Sequence, residues 1–242
     1  MGVTREGVVL TVLAYCHGRG VRRVRRTMTV LALDTASPRP AVALWSDGRL
    51  VEEPLPNDRR ASEDLLPAVR SVLARAGRTL GSCDRIAVCA GPGSFTGLRV
   101  GLATAWGFGR SAGIPVEAVS TLEAIAEAAR APELIRVVAA LDAGRGDIVA
   151  ERFDLSGPRP RSIAPPALFR ADALTGFAGG DPVAVLPEEG FAAGRATTPS
   201  VAAALAVAVA RAPRHAVPAD PRLGISAIYS RPSAAEEKHG AA

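Results

Sequence analysis

Residues 86–109 read IAVCAGPGSFTGLRVGLATAWGFG, an apolar run that breaks at a Gly-Pro-Gly corner and restarts with small residues at every fourth position. Ile86 to Ala90 has the length and β-branched content of a short strand covered on both faces. Gly91, Pro92 and Gly93 end it, and Ser94 or Thr96 is placed to cap a helix that takes in Phe95 and runs on past Gly97. Free N–H groups in the first turn of such a helix form a weak anion site, whereas a tight strand-to-helix turn needs no ligand at all; the loop alone leaves both readings open. Two phosphate motifs are excluded. A P-loop requires Lys-Ser/Thr after its second glycine, where this chain has Leu98 and Arg99, and a dinucleotide fingerprint requires glycine at the position of Thr96.

Gly97, Gly101, Ala105 and Gly109 recur at intervals of four along that helix. They drift slowly around one face and leave a shallow groove that another element can approach closely. Each interior glycine costs roughly 0.5–1 kcal/mol relative to alanine, so close approach has to offset the loss. Packing against the protein's own sheet and contact with another subunit both meet that requirement.

Outward from this block, composition narrows the class. The chain has 242 residues, 48% of them hydrophobic, enough for a sizeable core. No stretch approaches the roughly 18–20 consecutive apolar residues that span a bilayer, and the Ala-rich run Val201 to Ala210 reads as a buried helix. The formal charge of +5 is concentrated in residues 1–27, where six arginines face Glu6 alone. A basic leader can touch RNA, but the remaining body carries no electrostatic excess of the kind that drives phosphate binding. Positive charge follows rather than precedes the apolar run Val8 to Cys16, the wrong order for a secretory signal, so residues 1–27 are expected to be a disordered extension or a misassigned start. Cys16, Cys83 and Cys89 form no C-x-x-C pair, which indicates neither a disulfide framework nor a zinc site and fits a reducing cytoplasm.

From Met28 the sequence predicts a strand ending at Asp34, a second over Ala41 to Trp45, and an Asp47-Gly48 turn into a third. A helix follows from Asp58, with Leu65, Leu66, Val69, Val72, Leu73 and Ala76 at helical spacing and Gly77 at its end. A strand at Pro115 to Ala118 and a helix started by Ser120 or Thr121 complete the order β-β-β-α-β-α-β-α. The opening pattern then returns: a strand ending at Asp142, a glycine-containing turn, a strand from Asp147 to Phe153, a third near Arg161 to Ala164, another at Val183 to Leu186, and a helix over Ser200 to Arg211. Two related halves, the second reduced, are the plan of the actin, Hsp70 and sugar-kinase superfamily, an α/β class of paired ribonuclease-H-like units with nucleotide in the cleft between them. The expected boundaries are 28–133 for the first half, 134–232 for the smaller second half and 233–242 for a polar tail. Asp34 and Asp142, ending the first strand of each half, either hold Mg²⁺ through water in such a cleft or cap their own turns.

The segments LALDTAS at 31–37, SEDLLP at 62–67, AGPGSFTGLRVGLATAWG at 90–107, IPVEAVSTLEAIA at 114–126 and LDAGRGDI at 141–148 resemble the TsaB family, also called YeaZ, in order from about Met28 to Tyr229. The resemblance implies a noncatalytic dimerisation subunit in bacterial biosynthesis of threonylcarbamoyladenosine at position 37 of tRNA. Its implied partners are the catalytic TsaD and the ATPase TsaE, with tRNA met only through the complex and no membrane; a homodimer when alone is left open. It also implies pairing through the helices of the first half, which here carry Leu65, Leu66, Val69 and Leu73 and the stripe Gly97, Gly101, Ala105 and Gly109. No catalytic residue and no metal ligand is expected, nor a cofactor on the chain alone, any nucleotide being confined to the junction with the partner. The transferring relatives use a His-x-x-x-His pair on one helical face. Here His17, His215 and His239 all lie outside the matched helices. Two departures stand out: Ala61 where many members have His, and Gly144 where the family often has arginine. The alternatives are a stand-alone actin-like ATPase using Asp34 and Asp142, and a metallopeptidase-like protein, for which the sequence offers no metal cluster or nucleophile dyad.

Overall fold

The computed structural model describes residues 28–56, 61–186, 195–196 and 200–211. The expected leader, residues 212–232 and the tail lie outside the described residues. The first half comprises β1 (Thr29–Asp34), β2 (Ala41–Ser46), β3 (Arg49–Pro54), α1 (Ala61–Arg75), β4 (Arg85–Cys89), α2 (Phe95–Ala112), β5 (Val116–Val119) and α3 (Thr121–Ala128). The second has β6 (Arg136–Gly144), β7 (Asp147–Asp154), β8 (Arg161–Arg170), α4 (Leu174–Ala178), β9 (Val183–Val185), β10 (Arg195–Ala196) and α5 (Val201–Arg211). Asp47 and Gly48 both take positive φ, as a type I′ turn between β2 and β3 requires.

The first sheet has the order β3-β2-β1-β4-β5 and the second β10-β9-β6-β7-β8. In each, an antiparallel meander of three strands is extended by parallel pairing on the other side of its first strand, β1 with β4 and β6 with β9. The same topology occurs twice, and the second copy is reduced as expected: β9 has three residues, β10 two and α4 five. This is the actin-like α/β fold. β8 runs well past the expected Ala164, through Pro165 and Pro166. It is an edge strand, where a missing N–H costs no ladder bond on the open side.

Alternation along β1 sends Leu31 and Leu33 to one face of the first sheet, where they pack with Leu65, Val69, Val72 and Ala105 of α1 and α2. Val30 and Ala32 face the other way, into a core shared with Val137, Ala139, Leu141, Val149 and Phe153 of the second sheet. Two helices fill that shared layer. α5, the last described element of the second half, packs on β1, β2 and β4 of the first sheet, and α3, which ends the first half, packs on β6 and β7 of the second. Alanines on both sides, Ala32, Ala43 and Ala87 against Ala202, Ala203 and Ala206, let the helix lie close to the strands. The halves predicted at 28–133 and 134–232 therefore share one core through exchanged helices.

Charges join the halves as well. Arg159, in the β7–β8 turn, pairs with Glu117 of β5 and with Glu123 of α3, the latter at 2.7 Å. Arg85 lies 3.5 Å from the other Glu117 oxygen. Burial lifts the Glu123 carboxyl above its ordinary value, against the pull of the Arg159 guanidinium. Arg130 reaches across to the carbonyls of Leu155 and Gly157, the second at 3.1 Å.

Candidate functional site

The glycine corner lies where β4 ends, between the turn that follows β1 and the start of α3. Gly91 takes a φ of 104°, open only to glycine in practice. Its carbonyl accepts from Thr121 N (2.8 Å), and the Pro92 carbonyl accepts from Thr121 Oγ1 (2.6 Å). Ser94 caps α2, its Oγ accepting from Gly97 N (3.3 Å), so of the two candidate caps Ser94 serves and Thr96 is an exposed first-turn residue. Ser94 N donates to the Ala36 carbonyl (2.8 Å), and Leu98 N to the Ser94 carbonyl (2.8 Å). Phe95 carries the Arg99 guanidinium over its ring at 3.9 Å. The Ser94 and Gly97 N–H groups are thus bonded inside the protein, as a structural strand-to-helix turn requires.

The small-residue stripe has the same explanation. A Cβ on Gly93 would meet the Ala36 carbonyl at 2.5 Å, and one on Gly97 the Thr35 carbonyl at 1.9 Å. On Gly101 it would meet Thr35 Oγ1 at 2.5 Å, and on Gly109 Val116 Cγ2 at 2.3 Å. Thr35 Oγ1 itself donates to the Gly97 carbonyl (2.6 Å). All four stripe residues are buried. The reading of Gly97, Gly101, Ala105 and Gly109 as a partner face is corrected: that groove is filled by the turn after β1 and by the chain's own sheet. A bulky charge at Gly101 therefore tests folding rather than pairing.

Asp34 is fully buried. Oδ1 accepts from Ala36 N (3.0 Å) and Ser37 N (3.1 Å), and Oδ2 from the Ser37 hydroxyl. The Cys89 thiol lies within hydrogen-bonding reach of this carboxyl and 2.9 Å from Thr121 Oγ1. Burial raises the Asp34 pKa, opposed by the Ser37, Ala36 and Cys89 donors. Burial and the neighbouring Asp34 likewise push the Cys89 thiol upward, which keeps it protonated and unreactive. Asp142 is exposed two residues before the end of β6, which runs past the expected end to Gly144 with a register shift between the two, and its Oδ1 accepts from Gly144 N (2.7 Å). Each carboxylate caps its own turn, and Asp34 is closed off from any solvent-filled cleft. Among the described residues no three His, Cys, Asp or Glu side chains are grouped as a metal site requires.

Of the remaining interface candidates, Leu65, Val69 and Leu73 are buried beneath α1 against the first sheet. Leu66 faces outward, 46% exposed, and α2 presents Trp106 at 44%. Trp106 was missed in the sequence, although it lies off the small-residue stripe on the side that carries Arg99, Ala103 and Arg110. The outward faces of α1 and α2, two helices in mutual contact, carry exposed apolar area, as do Ile135 before β6 and Ile163 and Leu168 on β8.

A family model described as "TsaD: tRNA N6-adenosine threonylcarbamoyltransferase" matches residues 54–213, well over half of the chain. The tRNA threonylcarbamoyladenosine biosynthesis protein TsaB of Escherichia coli is 38% identical over 122 residues, 50% of this chain and 53% of that protein. A solved structure of YeaZ from Pseudomonas aeruginosa is 34% identical, with a TM-score of 0.55 over 60% of this chain and 68% of that one. The chain belongs to the TsaD family as a TsaB (YeaZ) member. A further structure, of an uncharacterized protein with similarity to peptidase YEAZ from Pseudomonas aeruginosa, has a TM-score of 0.69 at 28% identity and covers 84% of this chain and all of that one. The chain spans about half the length of the curated relatives it matches. No helix among the described residues is long and apolar enough to cross a membrane.

Proposed function

We propose that this chain is the noncatalytic dimerisation subunit of the tRNA adenosine-37 threonylcarbamoyltransferase complex, pairing with TsaD and supporting the binding of TsaE. Family membership supports the pathway. The observation that carries the role is the outward display of Leu66 on α1 and Trp106 on α2, beyond a glycine corner whose Gly91 and Pro92 carbonyls are taken up by Thr121. Large apolar side chains on adjoining helices gain free energy when a partner covers them, and an aromatic residue among small neighbours is a common interface anchor. The residues Leu65, Val69 and Leu73, with the glycine stripe, hold that surface in place from beneath. In this reading the chain works in the cytoplasm, meets tRNA only through the complex, and binds no cofactor by itself, with nucleotide confined to the junction.

The test is threonylcarbamoyladenosine formation on tRNA by purified TsaD and TsaE, supplied with threonylcarbamoyl-adenylate, with and without this chain. Turnover that depends on the chain is the expected result. Full turnover without it, together with no binding to TsaD, contradicts the reading.

A further inference from the structure

Ser37, Asp34, Cys89 and Thr121 run from the turn after β1 to the start of α3 as a buried chain of polar groups, and the hydrogens available fix its direction. Thr121 Oγ1 donates to the Pro92 carbonyl (2.6 Å), which uses its one hydrogen. Cys89 Sγ lies 2.9 Å from the same Oγ1, so in that contact the thiol is the donor. Cys89 is also within hydrogen-bonding reach of the Asp34 carboxyl. With its own hydrogen on Thr121, its sulfur meets Asp34 as an acceptor. Asp34 has a place for the hydrogen that this requires. Its Oδ1 accepts from Ala36 N and Ser37 N, which fills both lone pairs, and its Oδ2 accepts only from the Ser37 hydroxyl. Ser37 Oγ accepts in turn from Arg39 N (3.2 Å).

The charges on the elements packed around Asp34 are directed elsewhere. Arg99 of α2 lies over Phe95, Glu123 of α3 pairs with Arg159, Arg85 of β4 pairs with Glu117, and α5 has no charged residue before Arg211. A fully buried carboxyl with no counter-ion favours its neutral form. We propose that Asp34 is an uncharged acid at neutral pH and donates from Oδ2 to Cys89 Sγ, completing a one-way chain from Asp34 to Cys89 to Thr121 to the Pro92 carbonyl. The chain clasps the turn after β1 and the glycine corner to the first residue of α3. When Asp34 loses its proton, the carboxylate takes the Cys89 hydrogen, the S–H bond turns away from Thr121 and the clasp opens at its centre. Because α3 packs on the second sheet, this one proton couples the corner of the first half to the second. Burial moves the ionisation above the ordinary carboxylate range, so the clasp is closed in acid and opens as pH rises through the raised value.

The test is infrared spectroscopy of the full chain across pH, reading the C=O stretch of a protonated carboxyl and the S–H stretch of Cys89. Each band is assigned by difference, the first against Asp34→Asn and the second against Cys89→Ala. At neutral pH the wild type is expected to show a protonated-carboxyl band that is lost in Asp34→Asn. In Cys89→Ala that band is expected to move to higher frequency, because the acid has lost its acceptor. Thr121→Val removes the acceptor of the thiol, and the S–H band is expected to move to higher frequency there. On raising the pH, the carboxyl band is expected to disappear and the S–H band to move to lower frequency with one shared midpoint, as the thiol turns to a charged acceptor. Should Asp34→Asn fail to fold, Cys89→Ala and Thr121→Val carry the same test. An S–H band unchanged in Thr121→Val means that Cys89 already donates to an ionised Asp34, and overturns the proposal. So does the absence at neutral pH of a protonated-carboxyl band that responds to Cys89→Ala, and so do two separate midpoints.

Discussion

The turn after β1 and the turn after β6 occupy equivalent places in the two copies of one topology, and an aspartate at or near the end of the preceding strand caps the backbone beyond it in each. They have diverged in what lies over them. Asp34 is sealed under the start of α2, with Gly93, Gly97 and Gly101 giving up their side chains so that Thr35 and Ala36 can approach the helix. Asp142 stays exposed, and its hairpin is shaped by positive φ at Gly144, Arg145 and Gly146. Glycine thus does two jobs in one molecule: clearing space against a neighbour in the first copy, and permitting a backbone conformation in the second.

The sharpest way to break this contrast is to add one methyl group to each. Gly97→Ala places a Cβ 1.9 Å from a backbone carbonyl that cannot swing away, and is expected to cost about 3 kcal/mol or more in denaturant unfolding. Gly144→Ala meets no atom within 4 Å and pays only for φ of 78°, about 1 kcal/mol. Equal losses at the two positions would show that contact is not what fixes Gly97.

Removing the two caps should separate them again, by less. Asp34→Ala leaves Ala36 N, Ser37 N and the Ser37 hydroxyl without their acceptor in a buried site, an expected loss of about 2–3 kcal/mol. Asp142→Ala frees one exposed N–H to water and is expected to cost about 0.5 kcal/mol. The same unfolding measurements check both.

The smallest effects lie in pH dependence, where two carboxylates pull in opposite directions. Asp34 has a raised folded pKa, so its share of stability is fullest in acid and declines as pH rises from the ordinary carboxylate value through the raised one. Asp154 is held down to about 2 by the Ser156 hydroxyl and N–H and by Arg161. Its share is present above the ordinary value and is lost as pH falls toward 2. Asp154→Asn is therefore expected to flatten the acid side of a stability-against-pH curve below about pH 4, and Asp34→Asn to flatten the decline above it. An unchanged acid limb in Asp154→Asn contradicts that assignment.

Much of this was legible in the sequence because it is local. The β2–β3 turn, the Ser94 and Ser120 caps and the strand end at Asp34 are set by residues within a few positions, whereas β6 runs on past the expected end at Asp142 to Gly144. The glycine stripe was legible as a close approach, but its period of four names a face without naming what fills it; the turn after β1 is some sixty residues away in the chain. For the same reason the exchange of α3 and α5 between the sheets was not visible, since each is simply an apolar helix in its own segment. Trp106 escaped notice because it is an apolar residue within an apolar helix, and only the direction of the stripe shows that it points out. β10, two residues long, carries too little pattern to read.

The central claim is that the outward face of α1 and α2 is where the partner sits. Its most direct measurement is the affinity for TsaD of the wild-type chain and of Trp106→Glu, with circular dichroism and thermal unfolding as controls, since both large apolar residues of this face, Trp106 and Leu66, are exposed and carry little of the core. A fall in affinity of about a hundred-fold with an unchanged fold is the predicted result. A variant that folds and binds TsaD as the wild type does would contradict the account.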